Sequence, residues 1–202
     1  MSAYPVAYQQ SPPVERNRLT VFFRVFMLIP HLIWAYLYGI GAFIVTFLAW
    51  FALLFTGRYP GGMYDFVAGY LRFITRVYGY GLLITDVYPP FDGGEHPEYP
   101  VRLIIGPPQE SYNRASVFFR IILLIPVFIV QYAFEIWLFF VAVALWFVAV
   151  ITGRTSPGLT EAAHFPLSYF ARSSAYVYLL TDKFTPLSDT DTSSVLPPVS
   201  NH

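Results

Sequence analysis

Two stretches of this chain, residues 19–55 and 115–151, each run for 37 positions with almost no charge. The first carries Arg24 and His31; the second carries Arg120 and Glu135. One straight helix of that length would measure about 55 Å, against a hydrocarbon core of about 30 Å. The rest of the composition agrees with the two runs. Of 202 residues, 56% are hydrophobic and only 12% are charged, where a soluble domain carries about 25% charged residues. A chain this short cannot hide that much apolar surface in one water-soluble core, so a membrane protein is expected. The formal net charge is +0 and no basic block occurs, which argues against a nucleic-acid partner. There are no cysteines, so disulfides, thiolate metal sites and cysteine nucleophiles are excluded.

The two runs belong to an internal repeat. Residues 18–91 align with 114–187 at a constant offset and without a gap, and about a third of the positions are identical. Val21-Phe22-Phe23-Arg24 recurs as Val117-Phe118-Phe119-Arg120, and Leu28-Ile29-Pro30 as Leu124-Ile125-Pro126. Trp50-Phe51 recurs as Trp146-Phe147, Thr56-Gly57-Arg58 as Thr152-Gly153-Arg154, and Thr85-Asp86 as Thr181-Asp182. The expected organisation is repeat 1 over 1–95, repeat 2 over 96–187 and a polar tail over 188–202.

Each copy reads in three parts. A short polar segment comes first. Val101, Leu103 and Ile105 alternate with Pro100, Arg102 and Ile104, which predicts a short strand, and the segment with Val6, Tyr8 and Gln10 is its weaker counterpart. The apolar run follows. It is either a hairpin of two short arms turning near Gly39-Ile40-Gly41 and Phe134-Glu135-Ile136, or a span kinked at its proline. The hairpin would carry Glu135 to the far headgroups, whereas a single span leaves it inside hydrocarbon at a cost of at least about 2.5 kcal/mol. Gly57 and Gly153 then suit the left-handed position that ends a helix.

The third part is an amphipathic helix, expected over 63–85 and 160–181. Asp65, Gly69, Arg72, Arg76 and Gly79 form one narrow polar stripe, echoed by Glu161, His164, Ser168, Arg172 and Ala175. Such a helix either lies in the headgroup plane or spans with the stripe turned toward a bundle interior. Lys/Arg placement puts both chain ends in the cytoplasm, with the two copies parallel and not inverted. Residues 1–18 lack the pattern of a signal peptide.

The expected fold is therefore an all-α integral membrane protein of two tandem parallel repeats, each a long apolar hairpin or kinked span followed by an amphipathic helix, with short extended cytoplasmic segments. Seven arginines, Arg24, Arg58, Arg72, Arg76, Arg120, Arg154 and Arg172, are candidates for lipid-headgroup or partner contact. Glu135 and His31 are the candidate intramembrane polar groups. His31 has no ligand-spaced partner, and Val127 stands at its equivalent, so a packed histidine is expected and not a metal ligand. No catalytic constellation, metal site or cofactor is expected.

The motifs over residues 22–31, 50–60 and 85–91 resemble the bacterial domain-of-unknown-function 4389 family. Copy two keeps the frame but has Val127 for the histidine, Thr155-Ser156 for Tyr-Pro, and Phe184-Thr185-Pro186 for Tyr-Pro-Pro. The resemblance implies a small integral membrane protein found in bacteria, and it brings no activity or site residue with it; the expected location is the bacterial inner membrane. The expected role is that of a non-catalytic scaffold or accessory subunit, with the bilayer and other membrane subunits as partners. The alternatives are a membrane-shaping hairpin protein, or a small transporter or channel using the Arg/Glu stripe.

Overall fold

The computed structural model describes residues 4–10 and 18–187. The expected polar tail over 188–202 lies outside the described residues. The element order is β1 (Val6–Gln10), α1 (Arg18–Thr56), α2 (Gly61–Gly81), β2 (Val101–Ile105), α3 (Arg114–Phe118), α4 (Arg120–Thr152) and α5 (Pro157–Val177).

Each apolar run is one rod, and no hairpin forms. α1 continues for 39 residues through Gly39-Ile40-Gly41, and α4 for 33 residues through Glu135. The two glycines serve a different purpose from the expected turn. A Cβ on Gly39 would lie 3.1 Å from the Tyr70 hydroxyl, and one on Gly41 would lie 3.2 Å from the Phe66 ring. They let α2 approach α1 closely. In copy two the rod is interrupted only at Phe119, after the short α3. Asn113 caps α3 by accepting hydrogen bonds from the amides of Ala115 (3.0 Å) and Ser116 (3.2 Å).

Both rods end as the sequence predicts. Gly57 and Gly153 sit at φ +70° and +73°, where a Cβ would be strained. Thr56 and Thr152 turn their hydroxyls back to the carbonyls of Ala52 and Val148, each at 2.7 Å.

α2 and α5 return along the rods. Each ends in a left-handed leucine, Leu83 at φ 60° and Leu179 at φ 62°. A leucine in that region costs about 1–2 kcal/mol. Both side chains are buried, and the amides of Ile84 and Leu180 close the turn on Gly79 and Ala175 at 2.9 Å. This tight exit stops the helices four residues short of the expected ends.

The polar segments pair as one antiparallel ribbon, Val6 opposite Ile105 and Gln10 opposite Val101. Its strands are exchanged between copies. β2, which precedes copy two, lies on α2 of copy one; β1, which precedes copy one, lies on α5 of copy two. The contact of β2 with α2 requires Gly79, because a Cβ there would meet the Val101 methyls at 2.8 and 2.9 Å.

A local two-fold relates the copies. α2 and α5 are antiparallel, since Tyr70 meets Tyr178 (ring centroids 5.5 Å) while Tyr78 meets Phe170 (4.8 Å). α1 and α4 are antiparallel as well. Phe43, Phe47 and Trp50 border one groove with Ile121 and Leu124, and Val25 and Leu28 border another with Phe139 and Val143. Were the rods to cross a bilayer, the copies would be inverted, against the parallel arrangement expected from the sequence.

The elements form three layers: α1 beside α4, then α2 beside α5, then the ribbon, which touches α2 and α5. The core lies between the rods and the returning helices, with Leu53, Leu71, Leu83, Leu145 and Leu180 buried. Most exposed large apolar side chains lie instead on α1 and α4.

Gly79→Ala is expected to destabilise the fold by about 1–3 kcal/mol through overpacking against Val101. In thermal unfolding, combining it with Val101→Ala should cost less than the sum of the two single changes.

Candidate functional site

The sequence singled out seven arginines, and the structure turns four of them inward. Arg24 and Arg120 were expected to reach lipid phosphate from the starts of the apolar runs. Instead both are buried, because the exit turns of α2 and α5 present carbonyls to them. Arg24 Nη1 donates to the carbonyls of Tyr80 (2.6 Å) and Thr85 (2.8 Å), and Nη2 pairs with the Asp86 carboxylate. The guanidinium lies 4.3 Å over the Tyr80 ring. Copy two repeats the clamp: Arg120 donates to Tyr176 and Thr181, both at 3.2 Å, and lies 3.8 Å over the Tyr176 ring. Asp182 is used differently from Asp86, accepting from the Asn113 amide at 3.0 Å.

The polar stripes are largely covered by other parts of the chain, although Asp65 and Glu161 at their first turns are exposed. The chain's own connecting segment covers the stripe of α2. Arg72 pairs with Glu95 (2.8 Å). Arg76, buried, donates to the Gly94 carbonyl (2.9 Å) and to the Asp92 carbonyl. Gly69 admits the loop, since a Cβ on Gly93 would fall 2.6 Å from its Cα. On α5, Arg172 is fully buried and its carbonyl accepts from the Tyr4 hydroxyl at 3.0 Å, while His164 meets the Tyr8 ring edge-on at 5.5 Å. Arg58 and Arg154, by contrast, are exposed just past the rod ends.

His31 is a packed residue, as expected. It is fully buried, its Nε2 is 2.8 Å from the Pro89 carbonyl, and its ring stacks on Phe91 at 4.1 Å. Its partners are the Tyr-Pro-Pro-Phe segment that copy two lacks, and the smaller Val127 fills the equivalent place. Glu135 is no hairpin tip. It lies exposed near the midpoint of α4.

Sequence reasoning missed two groupings. One is the Arg24–Asp86 clamp, whose signal was present: Val-Phe-Phe-Arg and Thr-Asp recur together in both copies. The other is His96 between Asp92 (Nε2 to Oδ1 2.9 Å) and Glu98 (Nδ1 to Oε1 3.1 Å). The hydrogen bond to Asp92, reinforced by Glu98, raises the His96 pKa above its ordinary value. The bond to His96 in turn holds the Asp92 carboxyl below its own. No group of three or more His, Asp or Glu residues able to hold a metal ion occurs among the described residues.

With this geometry established, comparison with protein families places the chain. The model of a domain of unknown function, DUF4389, matches residues 18–92 and again 114–186. The chain belongs to the DUF4389 family. The two matched segments coincide with the two structural copies, so one family domain comprises a rod, its returning helix and the exit segment holding the clamp aspartate. Comparisons with curated proteins and with solved structures found no match for the chain.

Removing one partner of a buried charge pair costs about 3–5 kcal/mol. Arg24→Met is therefore expected to lower stability by about 3 kcal/mol in detergent-solubilised unfolding, and Asp86→Asn by less, since Asp86 is partly exposed. A second expectation concerns pH. The raised His96 pKa stabilises the loop fully below its unfolded value near 6.5, and the contribution is lost as pH rises through the higher folded value. An NMR titration of His96 should show the raised pKa, and Asp92→Asn should bring it back toward 6.5.

Proposed function

We propose that this DUF4389 protein is a non-catalytic membrane component, a scaffold or accessory subunit of a larger bacterial inner-membrane assembly. One observation carries the reading. Both rods are long and apolar enough to cross a membrane, yet only 17% and 22% of their most apolar stretches are buried. The core helix of a soluble protein would be largely covered. Phe26 (65% exposed), Phe43 (70%), Ile121 (75%) and Phe140 (65%) need an apolar surrounding that the chain itself does not supply.

The arginines support a structural role over a chemical one. Arg24, Arg76 and Arg120 spend their donors on the chain's own carbonyls. The stripe that a transporter would turn to its pore is roofed by the loop after α2 and by the ribbon. What remains accessible is wide, apolar and aromatic, which suits lipid and neighbouring subunits. Bilayer shaping is a second reading of the same exposed faces, favoured by their concentration on two adjoining rods; reconstitution that left vesicle diameter unchanged would dismiss it.

Solubilised from native membranes in mild detergent, the chain is expected to migrate in a complex well above its own 23.1 kDa, with the same membrane proteins recovered reproducibly by mass spectrometry. Recovery as a free monomer alone would overturn the subunit reading.

A further inference from the structure

The layered build decides how such a chain can meet a bilayer. Suppose first that α1 crosses. Its midpoint lies near residue 37, and the loop after α2 is fastened beside that midpoint. His31 meets the Pro89 carbonyl at 2.8 Å, the Trp34 indole donates to the Phe91 carbonyl at 2.9 Å, and Gly93 abuts Gly69 and the Tyr38 hydroxyl. The same loop presents Asp92, Glu95 and Glu98, whose side chains are 58%, 69% and 75% exposed. A crossing α1 would hold these three carboxylates at the depth of the bilayer centre. It would also set the ribbon alongside α2 at that depth, with open strand edges in hydrocarbon, where backbone groups find no partners. A crossing α4 would add Glu135, exposed at its own midpoint.

Suppose instead that α1 and α4 lie flat. The conflicts raised by the loop and the ribbon disappear. The rods adjoin in one layer, their outward faces carry the apolar side chains, and the ribbon is two layers away. Rods of about 58 and 50 Å overshoot a 30 Å core as spans but meet no limit within the plane. Trp34 and Trp137, 43% and 53% exposed, sit on the rods with their indole N–H groups bonded to the carbonyls of Phe91 and Ala162. Aromatic rings with one polar edge favour the headgroup level. The local two-fold then stands along the membrane normal, so both copies face the bilayer alike.

We propose that α1 and α4 lie side by side in the plane of a single leaflet, so that the protein is embedded from one face and crosses the membrane nowhere. The occupant of the apolar face is the acyl layer of that leaflet. This inference rests on the membrane reading above and replaces the multi-pass topology expected from the sequence.

The chain has no cysteine, so single cysteines report cleanly. Gly62 and Gly158 head α2 and α5, and a Cβ at either meets nothing within 4 Å. Gly62→Cys and Gly158→Cys, in the full chain in sealed right-side-out and inside-out native vesicles, should both react with a membrane-impermeant maleimide from one and the same side only. Reaction from opposite sides shows crossing rods and overturns the proposal while the membrane reading stands. Protection of both until detergent is added overturns it too. Recovery of the protein in the soluble fraction without detergent overturns the membrane reading itself. A second readout is depth. Nitroxides at Phe26→Cys, Ile40→Cys and Phe51→Cys should lie within about 5 Å of one depth, whereas a crossing helix would spread them along about 37 Å of its axis.

Discussion

The fold depends on where two guanidinium groups come to rest. A buried arginine without partners is among the costliest things a protein can contain, and this chain places an arginine near the start of each rod. The cost is met locally. The left-handed turn at Leu83 aims the carbonyls of Tyr80 and Thr85 at Arg24, and the turn at Leu179 does the same for Arg120 with Tyr176 and Thr181. Each clamp ties the beginning of a long helix to the end of a short one, and so fixes their register. With that register set, Gly39 and Gly41 fall opposite Tyr70 and Phe66, and α2 can lie close along α1.

The same principle explains the polar stripes. Arg72 and Arg76 in an apolar helix must be solvated by something, and lipid or a water-filled pore are the solvents that periodicity brings to mind. The structure supplies a third, the chain's own loop from Asp92 to Glu98. Gly69 and Gly79 are members of the stripe for a steric reason, since they are where loop and strand touch the helix backbone.

Much of this was legible in the residues. The duplication, the glycine stops after Thr56 and Thr152, the two extended segments and the packed His31 all follow from local chemistry or from gapless alignment. The internal course of the rods did not. Gly39, Gly41 and Glu135 have two physical readings each, turn against close approach and tip against mid-helix, and no local pattern chooses between them. The destinations of Arg24 and Arg120 were hidden for a related reason. Their partners are backbone carbonyls more than fifty residues away, which leave no side-chain signature; only the recurrence of Thr85-Asp86 as Thr181-Asp182 marked the place.

The exchanged strands carry an implication for the single domain. Neither copy supplies the strand over its own helix: β1 roofs α5 and β2 roofs α2, and the two strands hold each other by hydrogen bonds across the symmetry axis. A chain built from one copy and one strand would leave the strand-facing side of its short helix bare and its strand unpaired. Two such molecules facing each other could repair both defects at once. The covalent tandem thus has the architecture of a dimer written into one polypeptide, and its two halves are free to diverge, as His31 and Val127 already do, without losing their obligatory partner.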